Sequence, residues 1–154
     1  GGCFLNKRLN RNNDGGTTRR TTDIFQLATT VLFQNPVQNF ALAPNNLKDV
    51  SPVCMDYMKT VPTTWDETCF IDGYPGKYVV LARRHGNTWY LAAVNAGKEI
   101  VKLKLDLDMF AGKTVSLYKD DKKGEPQLVT LKVKESGKVQ LEILPQGGVV
   151  LVNN

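Results

Sequence analysis

Apolar residues recur at helical spacing early in the chain and at every second position in its last ninety residues. The change falls between Val61 and Val80. From Thr22 onward, Ile24, Leu27, Ala28, Val31 and Leu32 follow the helical period, with Asp23 placed as N-cap and Gln26 three residues later. Pro36 ends that helix, and Phe25 and Phe33 widen its apolar surface beyond one stripe, so it calls for neighbours on more than one side. A second helix starts at Ser51-Pro52, the serine as cap and the proline at the first helical position. It presents Val53, Cys54, Tyr57 and Met58 and stops before Pro62. Residues 1–20, rich in Asn, Gly, Arg and Thr, read as loop, as does the Asn/Gln-rich stretch around Pro36 and Pro44.

Beyond Pro75-Gly76 the period is two. Lys77 to Arg84 and Thr88 to Val94 predict a hairpin across His85-Gly86-Asn87, where Gly and Asn tolerate left-handed backbone. Val101, Leu103, Leu105 and Leu107 alternate with Lys102, Lys104 and Asp106 as a half-buried strand does. Further strands fall at Thr114 to Tyr118, Gln127 to Lys134, Val139 to Ile143 and Gly148 to Val152, with turns between them. Seven short strands without an intervening helix predict a mainly β chain whose C-terminal part is an antiparallel β-sandwich, a closed barrel being the alternative. Ninety such residues can bury a core of their own, whereas two helices in sixty residues cannot. The expected organisation is therefore a fragment of a larger domain over residues 1–61 and a sandwich over residues 62–154. At the seam lies VPTTWDETCFIDGYPGKYVV, with a Trp beside two carboxylates and a turn at Asp72 to Gly76.

Composition narrows the function classes. With 42% hydrophobic and 23% charged residues, the chain is that of a folded protein, and no apolar run approaches the roughly 18 residues of a membrane span. Its start, GGCF, without Met or a signal-like apolar core, reads as a processed or excised end. Net charge is +5, split as 7 Lys/Arg against 4 Asp/Glu up to Val61 and 13 against 11 after it. The lysines of the β-half, Lys102, Lys104, Lys132 and Lys134, alternate with apolar residues as on a solvated sheet face, which argues against nucleic-acid binding. Three cysteines without a CxxC pair and a single histidine, His85, argue against a zinc site. Cys54 and Cys69 read as small buried hydrophobes.

Candidate chemistry gathers at the seam. Asp66 and Glu67, as neighbours in extended chain, point to opposite sides and do not form an opposed acid/base pair. Glu67 suits a general acid if the Trp65 indole keeps water from it, and the plainer alternative is a turn carboxylate paired with an arginine. Trp65, Tyr74, Trp89 and Tyr90 offer a sugar-stacking platform, although adjacent Trp89 and Tyr90 must face opposite ways. Arg83 or Arg84 can pair with Asp66, and His85 reads as an exposed turn residue.

The run PTTWDETCFIDGYPGKYVVLARRHGNTWYLAAVNA, with FQLATTVLFQNPVQNFALAPNNL before it and KTVSLYKDDKKGEP after it, resembles the C-terminal part of glycoside hydrolase family 97, the α-glucosidases and α-galactosidases of polysaccharide-degrading Bacteroidetes. The resemblance implies that residues 1–61 are the helical remnant of a (β/α)8 catalytic barrel and the rest a C-terminal sandwich. It implies calcium-assisted hydrolysis of an α-glucosidic or α-galactosidic bond in an oligosaccharide by the whole parent chain, the isolated part being inactive, in a periplasmic or cell-surface location. By it, Glu67 of WDET is the general acid, Trp65 a substrate-binding residue, and Gln34 stands where inverting members carry a glutamate that is both base and calcium ligand. An amide can offer oxygen to calcium but cannot take a proton from water, so a retaining mechanism fits this chain better. The rival function is a non-catalytic sandwich that binds carbohydrate or steadies a neighbouring domain.

Overall fold

The computed structural model describes residues 2–4, 20–32, 39–41 and 51–153. At the N-terminus, β1 (Gly2–Phe4), α1 (Asp23–Leu32) and β2 (Asn39–Ala41) form one unit in which the two strands pair in parallel, Cys3 opposite Phe40. Parallel partners need a crossover, and α1 lies in it. The two strands contradict the loop reading of these stretches; at three residues each, they are too short to show a period. The cap of α1 is Thr22 rather than Asp23: the Thr22 hydroxyl accepts the Phe25 N–H at 3.1 Å and its carbonyl the Gln26 N–H. Asp23 falls in the first turn, where a carboxylate complements the helix dipole. Helix α2 (Pro52–Thr60) begins as its sequence dictates, with the Ser51 hydroxyl accepting the Val53 N–H. The continuation of α1 through Phe33 and Gln34 lies outside the described residues.

Eight strands follow: β3 (Glu67–Tyr74), β4 (Tyr78–His85), β5 (Thr88–Asn95), β6 (Val101–Asp106), β7 (Thr114–Asp120), β8 (Pro126–Lys132), β9 (Lys138–Ile143) and β10 (Gly148–Asn153). Six of them form one antiparallel sheet in the order β3-β4-β5-β10-β7-β8, and β6 pairs with β9 in a second. The two sheets enclose Val80, Ala82, Leu91, Ala93, Leu105, Phe110 and Leu151, the antiparallel sandwich that the alternation predicts. The strand not foreseen is β3. An edge strand interrupted between Phe70 and Asp72 by a register shift shows no clean alternation, so the turn expected at Asp72 begins only after Tyr74.

The opposite face of the larger sheet is not left to water. Ile24, Leu27, Ala28 and Val31 of α1, with Cys54 and Tyr57 of α2, cover Tyr90, Ala92, Val94 and Val150. Strands β5 and β10 are therefore buried on both faces, which accounts for the unbroken apolar runs Leu91 to Val94 and Val149 to Val152. Among the described residues no helix is long and apolar enough to cross a membrane.

The joint between α1 and the sandwich is held by a glycine pair and one carboxylate. A Cβ on Gly148 would lie 2.9 Å from the Phe25 Cα, and one on Gly147 would meet the Asp120 carboxylate, so only glycine lets the helix approach this closely. Asp120 Oδ2 accepts from the Thr22 hydroxyl (3.0 Å) and from the Gly148 N–H (3.1 Å), while its Oδ1 is buried without a partner among the described residues. Burial raises this carboxyl from an ordinary 3.8 to about 6, the two hydrogen bonds opposing the shift and the charges of Asp23 and Asp121 adding to it. A carboxyl that holds its proton more tightly folded than unfolded costs nothing below about pH 3.8; the cost grows as it ionises and is complete above about pH 6. From this group, then, the chain is more stable at mildly acidic than at neutral pH. Asp120→Asn, which keeps an acceptor oxygen, is expected to flatten thermal midpoints between pH 4 and 7. An undiminished slope in the variant would contradict the assignment.

Candidate functional site

The head of β3 and the hairpin joining β4 to β5 make one corner. In register, Glu67 lies opposite Arg84, and Arg84 opposite Trp89. The hairpin turn is Gly86-Asn87, and among the described turn residues here only Gly86 takes positive φ (61°). That turn exposes backbone groups which the segment before β3 uses: the Asp66 N–H donates to the Arg84 carbonyl (2.7 Å), Asp66 Oδ2 accepts the Gly86 N–H (2.7 Å), and His85 Nδ1 bonds the Thr64 carbonyl (2.8 Å). Arg84 closes the corner with Nε 3.2 Å from Glu67 Oε2 and Nη1 3.9 Å from Asp66 Oδ2.

Both carboxylates thus reach one guanidinium, unlike the opposed orientations expected of extended neighbours. Asp66 precedes the strand, so its side chain is free to turn back onto the hairpin. Of the two candidate arginines, Arg84 is the one that pairs. Alternation along β4 sends Arg83 to the other face, where it is buried and donates through Nη2 to the Leu32 carbonyl at the end of α1 (3.2 Å). Burial lowers the Arg83 pKa.

Glu67 is half-exposed, with 49% of its side chain accessible, and shares the sandwich-facing side of β3 with Cys69 and Ile71. Trp65 goes the other way. Its ring meets Tyr90 edge-on at 5.3 Å in the helix-facing cluster, and its indole Nε1 is buried without a hydrogen-bond partner among the described residues. The indole therefore does not roof Glu67, and the aromatic platform does not form: Trp65 and Tyr90 pack on one face and Trp89 on the other, while exposed Tyr74 carries the Lys77 ammonium over its ring at 5.0 Å. His85 is exposed, as its turn position implies.

Gln34 lies outside the described residues. Among those described, no three His, Cys, Asp or Glu side chains gather as metal ligands, and the oxygens of Asp66 and Glu67 are engaged by a guanidinium; this corner alone does not fit calcium. Cys54 is buried in the helix layer and Cys69 half-buried, as expected of small hydrophobes. A cleft of about 630 Å³ bordered by Lys104, Lys132, Lys134 and Lys138 opens beside β8, the sheet edge farthest from Glu67. Sequence alternation placed Lys104, Lys132 and Lys134 on a solvated face, but it could not show that residues from three strand ends border one depression.

Residues 64–153 match the family described as glycosyl-hydrolase 97 C-terminal, oligomerisation. The chain is 28% identical over 135 residues to a retaining α-galactosidase from Bacteroides thetaiotaomicron, an alignment covering 82% of this chain and 20% of that protein. Among solved structures it superposes with TM-score 0.95 on a β-arabinopyranosidase, at 84% identity over 99% of this chain and 24% of the other. On a family 97 enzyme from Pseudoalteromonas sp. strain K8 in complex with acarbose it superposes with TM-score 0.79, at 28% identity, over 99% of this chain and 25% of the other. The chain thus spans about a fifth to a quarter of the length of these relatives. With the sandwich, the seam motif and more than half of the chain matched, it belongs to the C-terminal family of glycoside hydrolase family 97.

Proposed function

We propose that this chain is the C-terminal part of a retaining glycoside hydrolase, and that Glu67 is the general acid/base of the assembled enzyme. The observation that carries the proposal is the corner itself: an accessible carboxylate, fixed by Arg84 at the head of β3, one residue along β4 from the Arg83 that holds the end of α1, the helix of a parallel β-α-β unit. A strand-helix-strand unit of that kind is what a (β/α)8 barrel is built from, which supports reading residues 1–61 as the last barrel segment. In a retaining mechanism two carboxyl groups about 5–5.5 Å apart flank the scissile bond. Glu67 would leave its Arg84 contact to give a proton to the departing glycosidic oxygen while a second carboxylate, from the parent chain outside these residues, bonds to the anomeric carbon. Glu67 would then take a proton from the water that releases the sugar. Gln34, unable to act as base, is consistent with this route. Calcium enters the proposal for the parent alone, with ligands from outside the described residues.

For substrate, the relatives point to one shape. A β-L-arabinopyranoside has the ring configuration of an α-D-galactopyranoside and lacks only its hydroxymethyl arm, and the two similar proteins are a β-arabinopyranosidase and a retaining α-galactosidase. We expect the parent to hydrolyse an aryl β-L-arabinopyranoside best and the aryl α-D-galactopyranoside second. The α-D-glucopyranoside should lag by roughly a hundredfold or more in kcat/KM, because a site that hydrogen-bonds the axial hydroxyl is left unpaired by the epimer. A preference for the glucoside would refute this substrate reading. The isolated 154-residue chain, without the second carboxylate, is expected to hydrolyse none of the three.

A further inference from the structure

We infer that the β3 edge of the sandwich is the surface through which this chain pairs with a second copy of itself, each copy seating its Phe70 ring in the groove that Tyr74, Pro75 and Val79 of the other border. The inference goes beyond the reading above and needs neither Glu67 nor turnover. It names the face, the partner and the side chain at the centre of the contact.

The family to which residues 64–153 belong carries oligomerisation in its description, so a face for a further copy is to be sought within that stretch. The exposed large apolar side chains among its described residues are Phe70, Tyr74, Ile100 and Leu128. Phe70, at 68%, and Tyr74, at 57%, are the most exposed of the four, and these two border one groove. Its volume of about 340 Å³ exceeds the roughly 150 Å³ that holds a benzene ring, and Gly73, Val79 and Val94 line it. The Phe70 ring lies low over the strand: a Cβ on Gly73 would stand 3.2 Å from its Cζ and 3.3 Å from the Tyr78 carbonyl oxygen, so glycine there leaves the ring its seat. Exposed apolar side chains gathered around a groove, unlike single ones scattered over a surface, mark an interaction site.

The other faces of the sandwich suit a second copy less well. Strand β8, the opposite edge of the larger sheet, borders the cleft that carries Lys104, Lys132, Lys134 and Lys138 against a single lining carboxylate, Asp106. Two copies meeting there across a two-fold axis would set like charges against each other. The outer face of β6 and β9 is polar, with Lys102, Lys104, Gln140 and Glu142 exposed. The helix-facing side of β5 and β10 is already covered by α1 and α2. At β3 the register shift between Phe70 and Asp72 breaks the free edge, so a neighbour gains little by adding a strand to it, and side-chain packing remains. A ring and a groove on one patch are what an isologous pair requires. The two-fold that seats one Phe70 seats the other, and the contact closes at two copies. Aromatic side chains in a desolvated pocket are the usual centres of such interfaces.

The test is sedimentation of the full-length parent and of the 154-residue chain over a range of concentrations, for wild type, Phe70→Asp, Tyr74→Lys and Leu128→Asp. Both wild-type proteins are expected to form a dimer. Phe70→Asp and Tyr74→Lys should each weaken it by at least about thirtyfold, the loss of one central contact, while Leu128→Asp, on the opposite sheet edge, should leave it unchanged. Phe70 is exposed, so circular dichroism of the dilute variant should match wild type; if Phe70→Asp does not fold, Tyr74→Lys decides. A parent that stays monomeric at high concentration, as it would if its own chain covered the groove, would overturn the inference. So would a dimer that the folded variants leave intact, or one lost equally with Leu128→Asp. Association of the 154-residue chain that Phe70→Asp does not weaken would assign the contact to another surface and overturn it as well. Sedimentation is read without substrate, so an inactive parent that dimerises through Phe70 would refute the proposed function and leave this inference standing.

Discussion

Leu91→Ala is expected to destabilise the chain by about 2–5 kcal/mol, toward the upper end of that range. Leu91 is fully buried at the centre of β5, in register with Ala82 on one side and Leu151 on the other, and it faces the space closed by the smaller sheet. Two of its neighbours in that layer, Ala82 and Ala93, are already minimal and cannot extend into the space a shortened side chain leaves. The β-ladders on both sides also fix the backbone, so the cavity cannot collapse. Urea denaturation should show a lower midpoint with an unchanged slope. A loss below about 1 kcal/mol would mean that the two sheets are less tightly closed than the burial of Phe110, Leu107 and Ile143 indicates.

Residues such as Leu91 also show what the sequence made legible. Strands β6 and β9 were readable because one face of each is solvated: Val101-Lys-Leu-Lys-Leu-Asp and Lys138-Val-Gln-Leu-Glu-Ile alternate without a break, and Lys102 stands opposite Glu142 across the pair. Helix α2 was readable because Ser51, Pro52 and Pro62 mark its ends locally. Strand β5 is legible to within one residue, as Thr88 to Val94 against Thr88–Asn95, from a period of two. That both faces are covered depends on where α1 docks, which local periodicity does not carry, although the unbroken run Leu91 to Val94 is its signature.

Strands β1, β2 and β3 were not legible, for different physical reasons. The first two are three-residue segments whose partners lie far apart in sequence. The third is an edge strand that changes register at Phe70/Asp72 and exposes half of its residues. At the site, alternation told that Arg83 and Arg84 part company but not which one turns to the carboxylates. The hairpin turn at Gly86 decides it, by presenting the backbone that Asp66 binds. Asp120 ends β7, and its burial follows from the docking of α1 over Gly147-Gly148, which no local pattern carries.

Glu67→Gln in the parent enzyme carries the largest expected effect. The amide keeps the size of the side chain and an oxygen for Arg84 but has no proton to give, so the corner should stay folded and thermal midpoints should barely move. Proton donation matters in proportion to the basicity of the departing oxygen. On a substrate with a poor leaving group the loss should be roughly a hundredfold or more, the usual worth of general acid catalysis, and on an activated aryl glycoside it should be much smaller at the bond-breaking step.

The ratio of those two losses is the measurement that bears most directly on the central claim, that the C-terminal sandwich contributes the catalytic acid. Wild type and Glu67→Gln should be compared by kcat/KM on two aryl β-L-arabinopyranosides that differ only in leaving-group acidity. A loss at least tenfold larger on the poor leaving group than on the good one is the predicted result. Equal, modest losses on both would contradict it, and would leave Glu67 as the structural partner of Arg84 in a supporting domain.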